Sequence, residues 1–320
     1  IIVTLIISFF SYTYVEKIFR NFEKVNSKNF FKILFVSLAL ILLFSSYVIH
    51  VDGFKFGKKF KIDNYVLDNT YLKKIIDEQR EKNLDRKFIT SDKEKVIVVG
   101  NSHGIDFFHM LFFNQDLYKN KEFIIYGTQI RCLLRNLKNE ALKNPECLSP
   151  HKRQDNNINI QNFEDADTII LATRWLDMYD WYAVEHIANY LKNKNKKIFI
   201  INNFPEFYVH ENRKGNVIDA YVQRNFLKIE SIDSIKEKLE VMAYENIYPS
   251  VFDVRRDVIN VANKTKIEIL DPFDFMCDLK NKKCDFLTDN GEKIYYDYGH
   301  FTIEGAKYFG KKMYNEGWLK

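Results

Sequence analysis

Residues 101–103 read Asn-Ser-His, set between Gly100 and Gly104 at the end of the apolar run VIVV (96–99). A serine hydroxyl is a weak nucleophile until a neighbouring base takes its proton. Near the other end of the chain, YYDYGHFTIEGA (295–306) places Asp297 and His300 three residues apart, just ahead of a helix. That spacing lets both side chains leave one short loop in neighbouring directions. His300 could then accept the Ser102 proton, with Asp297 holding the other ring N–H and stabilising the imidazolium. Each piece also has a plainer reading. Serine commonly caps a helix N-terminus, and a D-x-x-H spacing arises by chance. Adjacent side chains diverge on a turn, so His103 is expected to support structure and not to act as the base.

These residues need elements to carry them. VIVV, EFIIYG (122–127), TIILAT (168–173), KIFIINNF (197–204) and KIEILDP (266–272) read as five short buried strands. Helical patterns alternate with them at 105–112, 181–193, 216–263 and 302–315. The stretch 128–162 is polar and reads as a loop. Short apolar strands alternating with helices indicate a parallel sheet covered on both faces. In such folds ligands bind at the carboxyl ends of the strands, where Gly100–Gly104 falls. Asn202 and Asn203, at another strand end, read as turn formers.

The first part of the chain differs in character. Residues 1–15 and 33–49 carry no charge, and Phe31, His50 and Val51 can extend the second run towards the length of a membrane span. Between the runs, Lys17, Arg20, Lys24, Lys28 and Lys32 outnumber Glu16 and Glu23. Short basic loops stay in the cytoplasm. The expected organisation is the end of a membrane-bundle helix at 1–15, a cytoplasmic basic loop at 16–32 and a transmembrane helix at 33–51. A charged linker or stalk follows at 52–94, with a helix near 69–83, and a folded domain occupies 95–320. A buried helical hairpin is the alternative for the first 51 residues. The chain starts at Ile1 inside an apolar stretch, which suggests the C-terminal part of a longer membrane protein.

The net charge of +5 is spread over many lysines and points to no partner by itself. No zinc spacing, P-loop or Gly-rich dinucleotide fingerprint is present, and nothing suggests a metal or nucleic acid. Four cysteines allow three pairings, and proximity favours Cys132–Cys147 and Cys277–Cys284. Free thiols are the alternative. An export route to an oxidising compartment would permit both bridges.

GNSHG resembles the first block of the SGNH (GDSL-like) hydrolases, and DYGHFTIEGA resembles their last block. More narrowly, the chain resembles the SGNH domain fused to the C-terminus of membrane acyltransferase-3 proteins, which O-acetylate lipopolysaccharide O-antigen and related glycans. FFSYTYVEKIFRNF (9–22) is similar to the stretch that follows the last helix of that membrane bundle. TIILATRW (168–175) resembles a strand ending in Arg-Trp, and CDLKNKKC (277–284) resembles a disulfide loop of the same group.

The resemblance implies a three-layer α/β/α domain with a central parallel sheet, preceded by one to two transmembrane helices. It implies Ser102 as nucleophile, His300 as general base and Asp297 as its partner. Gly127 would contribute to the oxyanion hole, and Arg174 and Trp175 stand where the family has an Asn. Arg174 is read as a substrate-binding cation or as an ion pair at the core edge. Trp175 is read as a sugar platform or as core. Asn101 departs from the family's Asp, keeping an acceptor oxygen but losing the charge. The implied function is acyl transfer, of an acetyl group by the family's habit, to a hydroxyl of a periplasmic or surface glycan. A carbohydrate esterase using the same residues and a non-catalytic glycan-positioning module are the alternatives. No cofactor is expected in the domain. Acetyl-CoA is the implied donor for the full-length protein, and the glycan, the lipid bilayer and the acyltransferase-3 membrane domain are the implied partners. The implied location is the bacterial inner membrane, with this domain in the periplasm.

Overall fold

The computed structural model describes residues 8–9, 11–17, 27–50, 61–84, 86–137, 156–175, 178–192, 194–209, 215–225 and 228–320. The chain forms two compact units, Ile1–Lys58 and Lys59–Lys320.

In the first unit, helix α1 (Ser27–His50) contains the uncharged run 33–49. Its described apolar side chains are exposed, Phe35 to 74% and Leu43 to 68%. Among the described residues, no helix is long and apolar enough to cross a membrane. A helix stands where the span at 33–51 is expected, as far as His50. Residue 51 and most of 1–15 and 16–32 lie outside the described residues.

The second unit begins earlier than the sequence suggests. Strands β1 (Lys61–Ile62) and β2 (Tyr65–Val66) pair antiparallel, and helix α2 (Asn69–Asn83) follows, capped by the Asp68 carboxylate, which accepts from the Tyr71 N–H at 3.0 Å. Tyr65 is fully buried and its hydroxyl donates to Asp219. The Lys293 ammonium binds Asp219 at 2.5 Å and also bonds Asn69. Residues 61–94 are thus part of the folded unit and not a stalk. A charged amphipathic helix burying little beyond Ile76 and Asn83 looks solvated in sequence; the buried polar network beneath its N-terminus is what docks it.

The central sheet holds β3 (Glu94–Gly100), β4 (Lys121–Gly127), β5 (Thr168–Ala172), β6 (Lys197–Ile201) and β7 (Glu268–Leu270) in the order β4-β3-β5-β6-β7. Every neighbouring pair is parallel. Side chains alternate across the sheet with period two. Val96, Val98, Ile170 and Phe199 face one layer, formed by α3 (Ser102–Phe112), α7 (Val217–Asn225), α8 (Lys236–Glu245), the short α10 (Phe273–Met276) and α11 (Ile303–Asn315). Ile97, Val99, Ile169 and Ile200 face the other, formed by α4 (Ile130–Leu137), α5 (Asn156–Asp165), α6 (Met178–Lys192) and α9 (Pro249–Thr265). This is the three-layer α/β/α arrangement with a parallel sheet. Each large apolar side chain buried between layers contributes about 1.5–3 kcal/mol. The expected loop at 128–162 is helical at both ends, in α4 and α5.

The chain leaves β3 for β4 on one side and returns to β5 on the other. The strand order therefore reverses beside the carboxyl end of β3, which is where such sheets open a crevice. Ser102 is the first residue of the helix that starts there.

Candidate active site

The strand-to-helix turn depends on close backbone approach. A Cβ at Gly100 would lie 1.5 Å from the Ala172 carbonyl oxygen, and one at Gly104 would lie 2.4 Å from the same atom. Only glycine lets β3 and the first turn of α3 sit this close to β5. Asn101 caps α3: its Oδ1 accepts from the His103 N–H at 3.1 Å and from the Arg174 N–H at 2.9 Å. The turn uses this acceptor oxygen, so an uncharged Asn101 serves it. Ser102 is half-buried at the helix N-terminus, where backbone N–H groups lack intrahelical partners and favour negative charge.

Asp297 organises the second loop. Its Oδ1 accepts from the backbone N–H groups of Gly299 at 3.0 Å and His300 at 2.9 Å. The loop is closed by the Tyr296 N–H donating to the His300 carbonyl at 3.0 Å, and by Asn216 donating to the Asp297 carbonyl at 2.7 Å. His300 Nδ1 lies 2.8 Å from Asp297 Oδ2, and its Nε2 is buried without a partner. Burial opposes charge on His300, but the hydrogen bond to Asp297 and the nearby carboxylates outweigh it and raise its pKa to about 9. Burial likewise opposes the Asp297 charge, and the His300 contact overcomes it, leaving that carboxyl below its ordinary value. Each member stabilises the other's charge.

Ser102 and His300 line one small cavity. The same cavity is lined by Asp106 and His109, one and two turns along α3 from Ser102, and by Asp77 and Arg80 of α2. The structure therefore brings together the Ser102, Asp297 and His300 singled out in the sequence, from opposite ends of the domain. Sequence reasoning missed Asp106, His109 and Arg80. The i, i+4, i+7 spacing of Ser102, Asp106 and His109 in SHGIDFFH was the available signal.

The other expected residues divide. Gly127 pairs in register with Gly100 at the sheet's carboxyl edge, beside the serine turn. Arg174 is an ion pair at the core edge: Nε lies 2.7 Å from Glu206 Oε1 and Nη2 lies 2.6 Å from Oε2, with the guanidinium over the Tyr298 ring. Trp175 is not a sugar platform. It is 1% exposed, its Nε1 donates to the Ile201 carbonyl at 2.7 Å, and its backbone is held by Asn203. Asn202 and Asn203 are not turn formers: both are buried and tie neighbouring strand ends together, Asn202 donating to Asp271 and Asn203 to the Trp175 carbonyl. His103 is buried, and burial pushes its pKa well down, so it is a neutral ring packed on Phe204.

Cys277 and Cys284 are joined, across the paired strands β8 (Cys277–Asp278) and β9 (Lys283–Cys284). Cys132 is also disulfide-bonded; Cys147 lies outside the described residues. Among the described residues no group of three His, Cys, Asp or Glu side chains could hold a metal ion.

The fold has known counterparts. The chain is similar to the periplasmic domain of a lipopolysaccharide acetyltransferase from Salmonella ser. Paratyphi A, at 15% identity and a TM-score of 0.54, covering 78% of this chain and 95% of that one. It is more distantly similar to an acetyl xylan esterase, at 11% identity and a TM-score of 0.37, covering 69% and 98%. A third similarity is to a putative acylhydrolase from Bacteroides fragilis NCTC 9343, at 12% identity and a TM-score of 0.36, covering 75% and 92%. No curated protein sequence matches. The model of the SGNH domain, described as fused to AT3 domains, matches residues 73–315, which takes in most of α2, the serine turn and the Asp297–His300 loop. A parallel α/β/α sheet with a serine turn at its switch point, matched over that span, makes this chain a member of the SGNH domain family.

Proposed function

We propose that this domain transfers an acyl group to a hydroxyl of a periplasmic or cell-surface glycan, with Ser102 as nucleophile, His300 as general base and Asp297 as its orienting partner. The observation that carries the reading is the pairing of His300 Nδ1 with Asp297 at 2.8 Å while Nε2 is left unpartnered beside the cavity lined by Ser102. The Ser102 oxygen would attack the acyl carbonyl as His300 Nε2 takes the hydroxyl proton. Collapse of the tetrahedral intermediate would return that proton to the departing group and leave an ester on Ser102. The acceptor hydroxyl would then attack this ester, give its proton to His300, and regenerate the free serine. Backbone N–H groups at the start of α3, with Gly127 as a candidate second source, would stabilise the oxyanion.

Transfer is favoured over hydrolysis by the family's described association with AT3 domains and by the likeness to an acetyltransferase domain. In that reading acetyl-CoA is the donor used by the full-length protein, through a membrane part. The full-length protein would sit in the bacterial inner membrane, with this domain in the periplasm. An esterase that uses water as acceptor is the second reading, since the first half-reaction is the same. The test compares glycan O-acetyl content in cells making the protein or its Ser102→Ala variant. Loss of acetyl groups in the variant supports transfer. A gain supports the esterase, and no change removes Ser102 from both.

A further inference from the structure

Asp106 is buried, 4% exposed, one helical turn beyond Ser102. The backbone N–H of Phe301, the residue after His300, is near enough to favour the charged form of its carboxyl. Its Oδ2 is buried without a hydrogen-bond partner, and the residue lines the cavity shared with Ser102 and His300. A buried carboxylate oxygen without a partner costs about 1–3 kcal/mol or more. An apolar residue would fill the same position on α3 without that cost, so the acid calls for a role. We propose that Asp106 is a positioning residue for His300: it ties the helix that carries Ser102 to the loop that carries the histidine, and it supplies a second negative charge that holds the imidazolium. The inference rests on the reading of Ser102 and His300 given above.

The charged and titratable groups around His300 leave this role to Asp106. On its own loop, Asp297 already holds Nδ1, and Tyr296 and Tyr298 pack against the ring. From α3, His103 meets the ring edge-on and carries no charge. Beyond β6, Glu206 is engaged by Arg174 through both oxygens. From α2, Arg80 and Asp77 lie at the cavity wall 3.5 Å from each other. His109, further along α3, is buried and kept neutral by desolvation, with Arg80 adding to the effect. Among the described residues, Asp106 alone combines a backbone N–H of the histidine loop beside it, a place on the serine helix and a buried oxygen without a partner. Burial raises its own pKa to about 7, partly offset by His300 and by the Phe301 N–H. Its charge is therefore established below the His300 midpoint of about 9 and is present where His300 becomes able to act as a base.

The test is a titration of His300 in the full chain, by NMR of histidines labelled with carbon-13, with His300→Gln to assign the resonance. Asp106→Asn keeps the shape and the acceptor for Phe301 while removing the charge. The His300 midpoint should fall by about one pH unit or more in this variant. The acid limb of p-nitrophenyl acetate hydrolysis should move by the same amount. A smaller shift of the midpoint, or a loss of rate at all pH with the limb unmoved, overturns the proposal. If the variant does not fold, the wild-type titration decides. A second inflection near the Asp106 midpoint supports coupling, and a single-step curve overturns it. The NMR readout does not depend on turnover. Failure of Ser102 as nucleophile would appear separately, as hydrolysis that survives Ser102→Ala.

Discussion

His300 Nδ1 sits 2.8 Å from Asp297 Oδ2, while its Nε2 is buried without a partner in a residue that lines a cavity with Ser102. The histidine is thus fixed through one ring nitrogen, leaving the other for the proposed proton transfer. With its pKa near 9 it is mostly protonated at neutral pH in the free protein. A general base must be neutral to act, so hydrolysis of a simple ester should rise about tenfold per pH unit from pH 7 and level off above about 9. A flat profile over that range would remove His300 as the base.

The same shift has the opposite effect on stability. A histidine whose folded pKa of about 9 exceeds its ordinary 6.5 contributes stability that is fully present below about 6.5 and lost as pH rises through about 9. The difference corresponds to about 3 kcal/mol. Denaturant midpoints should therefore fall between pH 6 and pH 10, and His300→Gln should flatten that slope. A variant that keeps the full slope would place its origin elsewhere.

Gly104 lies within α3, where alanine is intrinsically favoured by about 1 kcal/mol. Its Cβ would stand 2.4 Å from the Ala172 carbonyl oxygen, which cannot yield without moving β5. Close contact should win, so Gly104→Ala is expected to destabilise by about 1–3 kcal/mol. Thermal melting checks the sign, and an increase in Tm would mean that the helix and strand are further apart than described.

The Cys277–Cys284 bridge closes a short loop ahead of the Asp297 segment. Loop-closure entropy for such a span is worth about 2–3 kcal/mol. Reduction should lower Tm and loosen the loop, with ester hydrolysis falling before global unfolding. Unchanged melting and activity after verified reduction would make the bridge incidental.

Trp175 bonds the Ile201 carbonyl from inside the core. Trp175→Phe should leave that buried carbonyl unpaired and cost about 1–3 kcal/mol. Acceptor binding by the folded variant should match wild type. A selective loss of binding with stability intact would return Trp175 to the substrate site.

The sheet was legible because β3 to β6 contain short continuous apolar runs, the pattern of parallel strands buried on both faces, which needs no tertiary knowledge. VIVV and EFIIYG fall within β3 and β4, while TIILAT, KIFIINNF and KIEILDP overrun β5, β6 and β7 at their ends. The Asp297–His300 loop was legible because three-residue spacing is a local property. Docking of α2 was not, since it rests on contacts of Tyr65 and Asn69 with Asp219 and Lys293, more than a hundred residues away. Arg174 was ambiguous for the same reason: its partner Glu206 follows another strand. Asp106 was visible on the serine face of a helix, but its burial beside His300 depends on α11's entry loop, which the local pattern does not encode.

The most direct test of the account is acid-quenched mass spectrometry of the purified chain after exposure to p-nitrophenyl acetate at about pH 9, where His300 becomes available as a base. The account predicts a single acetyl group on the peptide containing Ser102, absent from Ser102→Ala and strongly reduced in His300→Gln. An unmodified Ser102 peptide, or acetylation at another residue that persists in Ser102→Ala, would contradict it.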